Sequence, residues 1–277
     1  MTRIDLHVHS SLSDGSDSYR KVLETAREND VEILSFVDHD ITSTYRPASF
    51  VAREFGIRLI PGIEISAYDF KRERKVHVLG YNYDPDAGNI HKLTKPLLAR
   101  RHAHSIWQIG QIRKYGIDAN AERIISRLIH GQTIYKQHIM EDITDAPYMS
   151  EEYQNLYRKL FKGTGPAAGD IEYIDVKEAI RAIKADHGLV VIAHPGQLDS
   201  YDMIEECVDL GIDGIEQFHP DHGPEDIKRA GLMAKRHGLF TTGGSDYHGH
   251  FGAQVNVGID KGLLTNNPFD EVPDKNC

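Results

Sequence analysis

A chain of 277 residues, 40% hydrophobic and 27% charged, carries enough apolar material for one large core or for one domain with an insertion. No apolar run approaches the roughly 18 residues of a membrane span, the N-terminus lacks a signal-peptide pattern, and the two cysteines, Cys207 and Cys277, exclude a disulfide framework or a thiolate zinc site. The net charge of −10 argues against a surface that coats nucleic acid, and a cytoplasmic setting without an obligate protein partner is expected.

In chain order, residues 4–8 read as a strand, followed by a polar turn over 10–17. Tyr19–Glu28 has helical spacing, with Val22, Leu23 and Ala26 on one face. A short buried strand over 31–37 ends in Asp38-His39-Asp40, and a helix over 47–55 stops at Gly56. Residues 57–60 lead into Pro61-Gly62-Ile63-Glu64-Ile65-Ser66, and 75–79 is a strand carrying His77. Strand–helix–strand repeats of this length predict right-handed crossovers and a largely parallel sheet.

The rhythm breaks between about 88 and 169, where the pattern is mostly helical. Alternation then resumes: a helix over 174–186 with Asp175 as its cap, a strand over 189–193 ending in His194-Pro195-Gly196, and a helix over 201–210. Gly214–Phe218 is a strand ending in His219-Pro220, Pro224–His237 a helix, and 239–243 a strand ending in Ser245-Asp246-Tyr247-His248. The tail after Val257 reads as irregular. The expected organisation is therefore a core made of 1–87 and 170–260, an inserted helical subdomain over 88–169, and a tail over 261–277.

The chemistry-bearing residues cluster at strand ends. His7 and His9, two apart, share one face of the first strand because side chains alternate. His39, Glu64, His194, His219, Asp246 and His248 follow later strands, while His77 lies inside its own. A histidine near a strand end can merely cap a loop, but seven apolar runs each delivering a His, Asp or Glu are hard to obtain from core packing. Histidines with carboxylates and no cysteine suit Zn²⁺, Mn²⁺ or Fe²⁺.

In this arrangement the chain resembles the PHP (polymerase and histidinol phosphatase) family of metal-dependent phosphoesterases. The carrying residues, in the family's order, are Asp5-Leu6-His7-Val8-His9-Ser10, Ser13-Asp14-Gly15, Asp38-His39-Asp40, Pro61-Gly62-Ile63-Glu64-Ile65-Ser66, His77-Val78-Leu79-Gly80, Ala193-His194-Pro195-Gly196 and Ser245-Asp246-Tyr247-His248. The resemblance implies an α/β fold, a distorted (β/α)7 barrel with a helical insert, and a trinuclear metal site. It assigns His7, His9, Glu64 and Asp246 to one ion, Glu64 as a bridge with His77 and His194 to a second, and Asp14, His39 and His248 to a third. Asp38 and Asp40 are expected to support these ligands or their own loop. A water acidified between ions would attack phosphorus, which makes Glu64 and Asp246 catalytic as well as ligating. His219 is the candidate phosphate contact or general acid, and His222 a weaker one.

Substrate class is read from charge. Residues 88–138 hold nine Lys/Arg against two acids, which suggests that the insert binds an anion against the metal site. The placement of the insert resembles the subgroup acting on nucleotide phosphates, nucleoside 3′,5′-bisphosphates or AMP, with exonucleases on short 5′-phosphorylated RNA as relatives. Arg101 and Lys136 are the expected phosphate-binding residues, and His104 and His138 are further substrate-binding candidates. Lys136 stands where that subgroup usually has arginine, and His104 where arginine is common. The expected activity is hydrolysis of a nucleotide phosphomonoester. The alternatives are 5′–3′ exonuclease action and histidinol-phosphate hydrolysis; a non-enzymatic metal-binding module would show a missing ligand, and none is missing.

Overall fold

The computed structural model describes residues 2–84, 86–129 and 131–270. The first stretch runs β1 (Arg3–Val8), α1 (Tyr19–Glu28), β2 (Val31–Phe36), α2 (Tyr45–Glu54), β3 (Arg58–Leu59), β4 (Gly62–Asp69) and β5 (Arg74–Tyr81). Four helices follow, α3 (Gly88–Lys114), α4 (Ala121–Arg127), α5 (Lys136–Ile143) and α6 (Glu151–Phe161). The chain then passes through β6 (Ile174–Asp175), α7 (Val176–Ala185), β7 (Leu189–Ile192), α8 (Ile204–Asp209), β8 (Gly214–Phe218), α9 (Pro224–His237), β9 (Phe240–Gly243) and β10 (Ile259–Asp260). No helix among the described residues is long and apolar enough to cross a membrane.

The fold is mixed α/β, and its hydrogen-bonded strands form two sheets, in the orders β10-β1-β2-β3 and β6-β4-β5-β7-β8-β9, with no closed sheet among the described residues. The sheets meet through isolated parallel bridges, Val8 with Tyr247 and His39 with Glu64. Both seams therefore run through the residues that carry the chemistry. The expectation of a largely parallel sheet needs correction at β5, which is antiparallel to β4 and to β7. The reason is local. Residues 70–73 join β4 to β5 as a tight connection, too short for the crossover that parallel neighbours require.

Other expectations shift by small amounts. Ile174 and Asp175 pair with Ala67 and Tyr68 as β6 instead of opening a helix; α7 starts at Val176, and Asp175 caps it by accepting from Lys177 N–H at 2.8 Å. On α7, Val176, Ala179, Ile180 and Ile183 share one buried face, the 3–4 spacing that ties a helix to a sheet. The stretch after Val257 is not wholly irregular, because Ile259 and Asp260 pair with Ile4 and Arg3. Phe269 is fully buried against Tyr81 and Phe240. The remainder of the expected tail, from 271 on, lies outside the described residues, as does Cys277, while Cys207 is a buried free thiol.

The helices α3 to α6 enclose their own apolar cluster, including Ile109, Ile112, Ile124, Ile134, Ile139, Leu160 and Phe161. Helix α3 is tied to the sheets at its start, where Ala87 offers no side-chain cap. Asp186 substitutes, accepting from Asn89 N–H at 3.1 Å and Ile90 N–H at 2.8 Å. Farther along α3, Arg101 reaches Asp40 in the loop after β2 and Ser66 within β4.

Candidate metal centre

Two close backbone approaches set the site. A Cβ on Gly62 would lie 2.1 Å from Ser35 Oγ and 2.6 Å from the Phe36 carbonyl, so only glycine lets β4 start beside β2. A Cβ on Gly244 would lie 2.5 Å from His7 N, so the end of β9 presses directly on β1. Asp246 then sits at φ 50°, held there as its N–H donates to the His7 carbonyl at 2.8 Å. An aspartate in this left-handed region is a strain that the surrounding hydrogen bonds maintain.

Glu64 is the hub. Its side chain is buried, with Oε2 lying 3.3 Å from His7 Nε2, 3.2 Å from His9 Nε2 and 3.4 Å from His39 Nδ1. Its Oε1 lies 2.7 Å from His77 Nδ1 and 2.9 Å from His194 Nε2. Asp246 Oδ1 approaches His7 Nε2 at 3.3 Å and His9 Nε2 at 3.4 Å. Asp14 Oδ1 lies 3.4 Å from His248 Nε2 and 3.6 Å from His9 Nδ1, and its Oδ2 lies 3.8 Å from His39 Nε2.

The structure thus brings all nine sequence-predicted ligand candidates together. They fall into overlapping groups able to hold an ion: His9, Asp14, His39 and His248; His7, His9 and Asp246; His7, Glu64 and His194; and His39, Glu64 and His77. Three memberships go beyond the assignment made from sequence, since His9 also reaches Asp14, His39 also reaches Glu64, and His7 also joins Glu64 and His194.

The residues fit divalent cations on their own chemistry. Both ring nitrogens of His9 and His39 Nδ1 are buried without a hydrogen-bond partner, a costly condition for a polar atom unless something else binds it. Burial, outweighing the nearby Glu64 and Asp14, pushes His39 down to about 4 and keeps its imidazole neutral, as a ligand requires. Although burial opposes ionisation of the carboxylates, the charge of His77 and His7 holds Glu64 well below the usual range, and that of His248 and His9 does the same for Asp14. His9 shows the opposite: against burial, Asp246 and Glu64 raise it to about 10. A proton there occupies the place of a cation.

Supporting contacts surround the cluster. Asp38 accepts from Ser10 N–H at 2.7 Å, Ser13 Oγ at 2.6 Å and Thr44 Oγ1 at 2.5 Å, and so holds the loop of Asp14. Asp5 accepts from the N–H groups of His7, Ser245 and Gly258 and ties β1 to the end of β9. Gln137 Nε2 donates to Asp14 Oδ2 at 3.0 Å.

Glu216 lies inside β8 and so outside the strand-end pattern; its only signal in the sequence is a charged residue within the apolar run Gly214–Phe218. It is fully buried, and its Oε1 accepts from His7 Nδ1–H at 2.8 Å.

The substrate-binding candidates separate. Arg101, His104 and Lys136 line a cleft of ≈ 230 Å³ that also takes in Asp14, His39, His77 and Lys75. Arg101 is committed within it, donating to Asp40 Oδ2 and Ser66 Oγ, both at 2.8 Å, and stacked over Tyr135. Lys136 makes no ion pair among the described residues, and burial lowers it to about 8. His104 stacks on Trp107 with its Nε2 buried and unpartnered.

His138 does not join them. It is buried and does not line the cleft, and its Nδ1 accepts from Tyr135 N–H at 3.0 Å as a helix cap. His219 lines a second cleft of ≈ 370 Å³ with Asp246 and His248. Its Nδ1 accepts from Asp221 N–H at 3.1 Å, which places the proton on Nε2, 3.3 Å from Asp246 Oδ2. His222 is occupied by Gln217 O and Gly196 N–H.

A buried His/carboxylate donor set beside a cationic cleft is the architecture of a metal-assisted site for an anion. The PHP domain family matches residues 5–210 of this chain. The phosphoribosyl 1,2-cyclic phosphate 1,2-diphosphodiesterase of Eggerthella lenta is 46% identical, covering 92% of this chain and 97% of the relative. The 3′,5′-nucleoside bisphosphate phosphatase of Chromobacterium violaceum is 27% identical over 90% of this chain and 88% of the relative. A structure from Bifidobacterium adolescentis, assigned to the metal-dependent phosphoesterases, superposes with a TM-score of 0.82 at 27% identity, covering 92% of each chain. The chain belongs to the PHP family, and it is a hydrolase acting on phosphoester bonds.

Proposed function

We propose that the protein is a metal-dependent phosphoesterase whose substrate is a ribose carrying two phosphoryl groups, one cleaved and one used for binding. The observation that carries this reading is the ≈ 230 Å³ cleft, whose wall combines Asp14, His39 and His77 with Lys75, Arg101 and Lys136. The names of two relatives agree with it, since one describes a phosphoribosyl cyclic phosphate and the other a nucleoside bisphosphate. The 46% relative favours a cyclic phosphodiester as the first substrate to try, and the 27% relative keeps the nucleotide phosphomonoester as the second.

His7, His9, Asp14, His39, Glu64, His77, His194, Asp246 and His248 are the residues that would hold Mn²⁺, Zn²⁺ or Fe²⁺, three ions in the family's pattern. Such ions supply Lewis acidity to the phosphoryl oxygens and acidify a water. The chain's own residues do the rest. Glu64 ties five imidazoles to one carboxylate and so sets their mutual spacing. His219 presents its Nε2–H to a substrate oxygen, as a phosphate contact or as donor to the departing oxygen. Lys136 and Arg101 offset the anion's charge, Arg101 with its orientation fixed by Asp40. We also read the two sheets, from 1–87 and 170–260, as the family's distorted barrel, with 88–169 inserted as a helical subdomain.

The test is a substrate screen on Mn²⁺-loaded protein with phosphoribosyl 1,2-cyclic phosphate, adenosine 3′,5′-bisphosphate, AMP, 5′-phosphorylated oligoribonucleotides and histidinol phosphate. Opening a cyclic diester frees no inorganic phosphate, so products are followed by phosphorus NMR as well as by phosphate release. Turnover of one of the first two, lost by more than a thousandfold in Glu64→Ala, is expected. Histidinol phosphate as the best substrate, or near-normal turnover in Glu64→Ala, would sink the proposal.

A further inference from the structure

Glu216 makes two contacts that no other carboxylate near the centre combines. Oε1 accepts from His7 Nδ1–H at 2.8 Å, and Oε2 accepts from the His194 backbone N–H at 2.8 Å. The strand ends that carry His7 and His194 are thereby joined through one side chain rooted in β8, and the carboxylate is fully buried. We propose that Glu216 is a positioning residue for the metal centre, fixing the His7 tautomer whose Nε2 lone pair faces Glu64 and Asp246, and fixing the reach of His194 toward Glu64. This rests on the metal reading given above.

The geometry argues against a ligand role, although Glu216, His194 and His219 lie close enough to form a group of their own. Both Glu216 oxygens already accept hydrogen bonds, and His219 bears its proton on Nε2 because Nδ1 accepts from Asp221. Carboxylates behind ligating histidines orient the ring and raise its basicity, and their loss weakens metal binding by about 10–100-fold. The two contacts also make a sharp demand. Glutamine has the same shape but a single acceptor oxygen, so one of the two N–H groups would meet its amide N–H. If that group is His7 Nδ1–H, the ring must move its proton to Nε2, where the lone pair is needed.

The experiment is Zn²⁺ competition with a chromophoric chelator for wild type, Glu216→Gln, Glu216→Asp, His7→Ala and the His7→Ala/Glu216→Gln pair, with far-UV circular dichroism of each. Expected are affinity about tenfold to a hundredfold weaker in Glu216→Gln, an intermediate value in Glu216→Asp, and a smaller further loss when Glu216→Gln is added to His7→Ala. In parallel, the ¹⁵N shifts of His7 in Zn²⁺-loaded wild type should report a protonated Nδ1 and a ligated Nε2, a reading that needs no variant to fold. Wild-type affinity in Glu216→Gln, an undiminished loss in the His7→Ala background, or ligation of His7 through Nδ1 would overturn the proposal. A wild type that binds no Zn²⁺ would instead overturn the metal reading itself.

Discussion

At the scale of single residues, the sharpest contrast is between Arg101 and Lys136. The sequence presents them as equal phosphate binders, yet Arg101 is oriented by Asp40 and Ser66 while Lys136 makes no ion pair among the described residues. Burial lowers Lys136 to about 8, with Lys75 and Arg101 also working against its charge. The amine is therefore charged below about pH 8 and loses its proton above it. KM should rise as pH passes 8 in the wild type and stay flat in Lys136→Arg, whose guanidinium keeps its proton. Lys136→Ala should raise KM at pH 7 by about tenfold or more, charged hydrogen bonds being worth about 1.5–3 kcal/mol, while leaving metal content intact. Steady-state kinetics between pH 6.5 and 9.5 check both, and a KM indifferent to the substitution removes Lys136 from the site.

At the scale of elements, the start of α5 depends on a neutral histidine. Tyr135 N–H donates to His138 Nδ1, and burial depresses His138 to about 4, below an unfolded value near 6.5. Between those values the unfolded chain binds the extra proton, so the contribution is fully present above pH 6.5 and is lost as pH falls toward 4. The loss amounts to about 2–3 kcal/mol from linkage. Urea unfolding at pH 7 and at 4.5 should show a steeper acid loss for wild type than for His138→Gln, which cannot titrate. Equal slopes would show that the cap carries no such dependence. The helix that holds Gln137 against Asp14, and Lys136 in the same cleft, is thus set by packing behind it.

At the scale of the whole molecule, strands and loops from both sheets converge on one buried group of four carboxylates and seven imidazoles counting Glu216 and His219. Protons stand in for cations there, most clearly on His9, raised to about 10 against its burial by Asp246 and Glu64. Binding of Mn²⁺ or Zn²⁺ must displace them. Calorimetric titration in buffers of different ionisation enthalpy should reveal proton release, with affinity increasing from pH 6 to 8. The same binding should stabilise the fold by about 2.7 kcal/mol at an ion concentration one hundred times Kd, a rise in Tm that EDTA reverses. A melting temperature indifferent to both ions and chelator would contradict this.

Much of this centre was legible in the linear sequence, because strand alternation and strand ends depend only on nearby residues. The His7/His9 spacing, Glu64 after its apolar run and the Asp246/His248 pair all declare themselves locally, and the family's motif order ties them together. Other features depend on residues distant in sequence. The antiparallel course of β5, the pairing of β10 with β1, the fixing of Arg101 by Asp40 and the role of Glu216 each arise only when separate elements meet. The sequence alone determined which donor atoms are available for phosphoester chemistry. Only the tertiary structure decided how they are shared, since hydrogen bonds and burial between distant segments select which lone pair and which charge remain free.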